Sequence, residues 1–441
     1  MRGLLAGGIA LAILSWPGSA GPRALVLAAP APQAAVPVAL VWSHDRARIA
    51  RLDETTLRVG RPRTSSFGIV DSWAFAPDGA RLVVASHAYD DPRSVDKLTT
   101  VDLKSLRRRA RPARLPGWAS ALLWRGDRVV ALVETCCSGA SEIDLVDQQT
   151  RAIVSRTPLG GRVARISRAP DALVLLCVPD NGIGQARLVV AGADGSVRSV
   201  ALANVSAGWV FPSDPNTDPI GTQRLPGIAV DPVGDRAYVV QPTGPAVEVE
   251  LRTLAVTHHD LHAAHSALAR LAAWWEPAAS AKGMQGPMRT AQWIGDGFLA
   301  VTGQDEQLGV GSNGERVLSD TPAGLAVVDT RDWTIATLDP GANAVKAASG
   351  LLLATGSTWS STGDEVNAVG LVAYGTDRSR RFRLFPGAQA WVDFVLGGRA
   401  YVDEGVPNVT RTAVVDFASG KVVGERSGPL PLPLLGDGPD N

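Results

Sequence analysis

One pattern of apolar and polar positions recurs along this chain. A short apolar run is followed by a tight Gly/Asp turn and a second apolar run. It reads "WAFAPDGARLVVAS" at 73–86 and "ALLWRGDRVVALVE" at 121–134, and it returns at 164–178, 227–241, 291–303, 344–356 and 390–404. Runs of this length bounded by Gly and Asp predict strands, and the turn residues tolerate the positive φ that a hairpin needs. A second pattern follows each first one: strand, polar turn, strand. Examples are "TTVDLKSLRR" (99–108), "EIDLVDQQTRAIV" (142–154), "LAVVDTRDWTIATL" (325–338) and "AVVDFASGKVVG" (413–424). Two hairpins make a four-stranded unit, and such units repeated along a chain build an all-β propeller.

The first pattern occurs seven times and the second eight. The extra copy, "ARIARLDETTLRVG" (47–60), follows "VALVWSH" (38–44), so the first unit lacks an innermost strand. The apolar C-terminal run "LPLPLLGDG" is free to supply it. Pairing the two ends closes the ring and removes exposed edges. The expected fold is therefore an eight-bladed propeller over 38–438, with seven blades as the alternative. Two insertions interrupt it, at 204–226 and 257–288.

"DRAYVVQPTGPAVEVELRTLAVT" (235–257) resembles the YVTN-type β-propeller repeat, as does "GGRAYVDEG" with "AVVDFASGKVVG" (397–424). Gln241 and Asp403 stand where that repeat has asparagine. The resemblance implies a bacterial propeller of the superfamily that includes surface proteins, lactonases and quinone-dependent dehydrogenases. It brings no catalytic residue with it.

The N-terminus changes the picture of location. Arg2 precedes the apolar run Gly3–Trp16, and "GSA" offers a cleavage site after Ala20. Residues 1–20 read as a signal peptide, with an uncleaved anchor as the alternative, and 21–37 as an Ala/Pro-rich linker. The expected location is extracellular or in the cell envelope. No other segment has the length and apolarity of a membrane span. Basic and acidic residues balance at 43 each, so no global charge favours nucleic acid. Arg-rich, Lys-poor, Ala- and Gly-rich usage suggests a GC-rich bacterial source. Three cysteines, Cys136, Cys137 and Cys177, read as buried apolar groups, or as a disulfide between Cys177 and one of the pair.

Candidate chemistry is sparse. "THHDLHAAHSALARLAAWWEP" (257–277) has helical spacing, with an apolar stripe at Leu261, Ala264, Leu268, Leu271 and Trp275. A short helix inserted in the propeller is expected there. On it His258, His262 and His265 fall within about 60° of one another, a set that suits zinc or copper. An outer strand running to Thr257 competes with that helix. Asp214, Asn216 and Asp218 alternate like calcium ligands, but the twelfth position of that loop is Leu225 rather than Glu. Trp73, Trp124, Trp293 and Trp391 fall on or beside innermost strands and are the candidate ligand-binding residues; packing between blades is their other reading. No nucleophile elbow or placed Ser/His/Asp set is present. The expectation is a monomeric binding propeller without a cofactor, whose partner is a protein, a glycan or a cell-envelope component. The alternative is a channel-mouth enzyme, either a metal-dependent hydrolase or lactonase, or a quinone-dependent dehydrogenase.

Overall fold

The computed structural model describes residues 37–43, 46–54, 56–62, 64, 66–88, 95–109, 111–135, 140–180, 182–210, 222–263, 288–310, 316–360, 367–406, 409–427 and 431–434. The signal segment and linker lie outside these residues. So do Cys136, Cys137, Asp214, Asn216, Asp218, His265 and the stretch 266–276 where a helix is expected. The described residues form strands and turns without a helix, and none is therefore long and apolar enough to cross a membrane.

Eight sheets follow one another along the chain, antiparallel but for one edge strand of the sixth, and they form an eight-bladed β-propeller. Blade 3 shows the plan, with Trp118–Arg125 innermost, then Arg128–Glu134, Ser141–Asp147 and Ile153–Pro158. Blade 1 is closed as expected. Leu432–Pro433 pairs antiparallel with Val38–Ser43, which pairs with Arg46–Arg51. The outer edge of that blade is carried by isolated bridges, Leu52 to Val59 and Ala47 to Phe67.

The second strand of each blade explains the ring. Arg81–His87 reads RLVVASH, and its central residues are buried on both faces. Leu82 and Val84 pack toward blade 1 with Leu40, Ile49 and Phe67. Val83 and Ala85 point the other way, toward blade 3 with Leu122, Trp124 and Val129. Alternation along a strand sends neighbouring side chains to opposite faces, so a strand apolar throughout needs a partner sheet on each side. The remaining buried clusters fill the other six seams, including the one between blades 8 and 1, where Phe394 and Tyr401 meet Leu52 and Leu57.

The turn before the outer strand repeats as well in blades 2, 3, 6 and 8. Leu106 N–H donates to the Asp102 carbonyl, Arg151 to Asp147, Trp333 to Asp329 and Gly420 to Asp416. The fifth residue is left-handed in each case, with φ between 54° and 62°. The leading carboxylate accepts N–H groups inside the turn, as Asp102 does from Ser105 and Asp147 from Thr150. Those hydrogen bonds hold both carboxyls below their usual range. This is the physical content of the "VDLKSL" and "VDQQTR" repeats: an acid at the end of a strand organises the turn that follows.

The insertions differ from expectation in their starts. Blade 4's outer strand runs from Val197 to Val210, and Gly208–Val210 pairs with Thr222–Arg224, so both ends of the 204–226 insertion contain strand. Blade 5's outer strand runs through His259, and His262–Ala263 adds a parallel edge strand to blade 6. His258 and His262 are therefore on strands and not on a common helix. Pairing of Val256–His259 with Ala246–Val249 outweighs the helical spacing read from the sequence. Cys177 is a free thiol buried in the seam of blades 3 and 4, where burial pushes it up to about 11.

Two outcomes follow. Leu434, 2% exposed, packs with Leu40, Ile49 and Trp73 across the closure. Leu434→Ala should cost about 2–4 kcal/mol in urea unfolding. Asp144 is fully buried, and neither carboxylate oxygen has a hydrogen bond. Burial, with a smaller push from Glu142 and an offset from Arg156, raises its carboxyl to about 6 from 3.8. Its contribution to stability is fully present below the unfolded value and is lost as pH rises through about 6. Asp144→Asn should therefore raise the urea midpoint at pH 8, and that gain should shrink toward pH 4.

Candidate binding mouth

Strand direction sorts the connections onto two faces. In blades 2 to 8 the inner strand joins the second, and the third joins the outer, through turns of two to five residues. All of these lie on one end of the ring. The second-to-third and blade-to-blade connections attach to the other end. Those at 88–96, 135–140 and 358–367 are long. Long connections on one end of a rigid scaffold mark the end that recognises something. The starts of inner strands and the ends of second strands surround this mouth.

Blade 6 builds the mouth further. Its second strand continues through Val310, and Arg316–Pro322 returns along it. Ser319 and Asp320 then pair with Ser360 and Trp359 of blade 7, which ties the two blades together above the ring. A cavity of about 530 Å³ lies among blades 6, 7 and 8. It is lined by Gln304, Asp320, Asn343, Ala344, Ser357, Gln389 and Trp391. Trp391 is 46% exposed at the start of blade 8's inner strand. Its indole lies against the backbone of Gly405, where any added Cβ would collide with the ring. A glycine there lets a large flat side chain rest on the neighbouring strand. Aromatic area, amides and one hydroxyl in a cavity of this size suit a small polar ligand with apolar C–H faces.

A second group sits at the mouth of blade 2. Asp71 is an extra residue in the inner strand: Val70 pairs Ser86 and Ser72 pairs Ala85, with no partner between them. Such a bulge re-aims a side chain. Asp71 Oδ2 is 2.7 Å from Nδ1 of His87, the last residue of the second strand. Nδ1 is also 3.4 Å from Asp96 Oδ1. Asp96 is fully buried, and its Oδ2 accepts the Ala119 N–H at 2.6 Å. Burial pushes the Asp96 carboxyl well up; the Ala119 N–H partly offsets this, and the Asp71 charge adds to it. The His87 ring packs against Trp118 at 5.8 Å between centroids. Blade 8 repeats the bulge at Asp393.

The residues singled out from sequence are distributed differently. Trp124 is fully buried and Trp73 is 5% exposed, so both are seam residues. Trp293 stacks on Tyr238 at 5.5 Å in the seam of blades 5 and 6. Of the four tryptophans, Trp391 alone lines the cavity. His258 and His262 are on the outer edges of blades 5 and 6. His258 Nε2 bonds the Ala203 carbonyl at 2.8 Å. His259 bonds Glu248 at 3.1 Å and stacks on Trp333 at 3.9 Å. Asp71, His87 and Asp96 are not apparent from spacing, because a bulge and a loop bring them together. The one signal in the sequence is a lone carboxylate, Asp71, inside the apolar strand "IVDSWAF".

No family model matches the chain, and no curated protein matches it. Solved structures do, and they are β-propeller proteins. The dihydro-heme d1 dehydrogenase NirN is 16% identical, with a TM-score of 0.49 over 95% of this chain and 77% of that one. Apo AztD from Citrobacter koseri is 11% identical, with a TM-score of 0.46 over 93% and 99%. BamB from Moraxella catarrhalis is 11% identical, with a TM-score of 0.41 over 86% and 96%. These are likenesses of fold.

Proposed function

We propose that this chain is an exported YVTN-type propeller that binds a glycan of the cell envelope at its long-loop mouth. The observation that carries this reading is the half-exposed Trp391 at the wall of a 530 Å³ cavity edged by Gln304, Asn343, Ser357 and Gln389. A sugar offers alternating hydroxyls and a C–H face. Amides meet the first as both donors and acceptors, and an indole face meets the second. None of the described lining residues is cationic and one is a carboxylate, so neutral or amino sugars fit better than acidic ones. The apolar segment Gly3–Trp16 behind Arg2 supports export.

The binding role is tested by titrating neutral envelope oligosaccharides into the full chain by calorimetry. Trp391→Ala should weaken binding at least tenfold. Gly405→Ala keeps the indole but displaces it, and should weaken binding by a smaller factor with little change in melting temperature. Binding that neither variant alters would sink the reading, as would a protein partner captured through this face in the absence of any glycan affinity.

A further inference from the structure

We propose that Asp71, His87 and Asp96 form a binding site for one divalent transition-metal ion of the zinc type at the mouth of blade 2. One donor atom from each lies within 4.8 Å of the other two. The two separations that involve His87 Nδ1 are 2.7 and 3.4 Å. Tetrahedral zinc with ligands at about 2.0–2.1 Å holds its donors roughly 3.3 Å apart, so small side-chain rotations suffice.

A second observation points to a ligand independently of the cluster. Asp96 is fully buried, and its Oδ1 has no hydrogen bond of ordinary geometry, only the long 3.4 Å ion-pair contact with His87 Nδ1. Burying a carboxylate oxygen on so long a contact is costly, and a cation held by the same group removes the cost. The surroundings are built to hold Asp96 in place. Its N–H donates to the Gly117 carbonyl at 3.0 Å, and its own carbonyl accepts from Leu115 at 2.9 Å. Ala119, just before a bulge at Ser120, donates to Asp96 Oδ2 and accepts from the Ser72 hydroxyl across the seam. The Trp118 contact restrains the His87 ring.

The donor set selects the ion. One imidazole nitrogen and two carboxylate oxygens suit zinc and its neighbours. Calcium needs six to eight oxygens, and copper(I) prefers sulfur. Neutral imidazole and two carboxylates balance a doubly charged ion. Three protein ligands leave a fourth position. Asp71, with a side chain 23% exposed, is the side from which solvent or a bound ligand reaches it. This site is on blade 2 and does not depend on the glycan reading at blades 6 to 8.

The test is calorimetric titration of the metal-free full chain with zinc chloride, together with melting curves. One zinc per chain is expected, with a rise in melting temperature. His87→Ala should abolish that binding, and Asp71→Asn should weaken it at least tenfold, while His258→Ala leaves it intact. Cobalt(II) should give the visible absorption of a four-coordinate N/O site, and calcium should give no shift. Should His87→Ala fail to fold, Asp71→Asn, altered at a partly exposed bulge, carries the test. Absence of zinc binding overturns the proposal. So does binding that Asp71→Asn leaves unchanged, or binding that His258→Ala removes.

Discussion

Burial of both faces of every blade is the constraint from which the rest of this molecule follows. A second strand such as RVVALVE at 128–134 has no polar face to offer water. A sheet built around it cannot stand alone, and two such sheets still leave two apolar faces exposed. Only a closed ring covers all of them. The short pairing of Leu432–Pro433 with Ala39 and Leu40 therefore has consequences beyond its own hydrogen bonds. It supplies the missing inner strand of blade 1, and Leu434 seals the seam with blade 2.

The ring also divides labour between its two ends. At one end the connections are reduced to the fewest residues that reverse a strand. There the sequence is dictated by backbone geometry: an acid that gathers N–H groups, then a residue of left-handed φ. At the other end connections lengthen without disturbing the seams, because they leave the sheet before reaching it. The hairpin 298–322 of blade 6 and its pairing with Trp359 and Ser360 are additions of this kind. Gln304 and Asp320 of these strands complete the cavity beside Trp391, so the scaffold's regularity is what allows an irregular mouth.

Bulges connect the regular and irregular parts. Asp71, Ser120 and Asp393 each interrupt the pairing of an inner strand near the mouth. A strict period of two would give such a residue a place in the ladder. An extra residue breaks that rule locally and turns a carboxylate toward the end of the second strand. Asp71 reaches His87 in this way, and the backbone of Ala119 becomes available to Asp96 and Ser72 of blade 2.

The sequence alone determined the architecture, because periodicity, turn chemistry and repeat count are local properties and a repeat multiplies each signal. The extra third-and-outer hairpin at 47–60 was enough to place the closure. Local spacing failed where two local readings competed. "THHDLHAAH" has helical spacing, yet its first residues pair with Ala246–Val249, since an available sheet edge satisfies their backbone groups. Tertiary structure decided the mouth. Trp73, Trp124, Trp293 and Trp391 occupy similar places in the repeat, and only packing against neighbouring blades separates three seam residues from one that faces a cavity. Asp71, His87 and Asp96 come together through a bulge, a strand end and a loop. Distances of that kind depend on where the chain returns, and no local pattern records them.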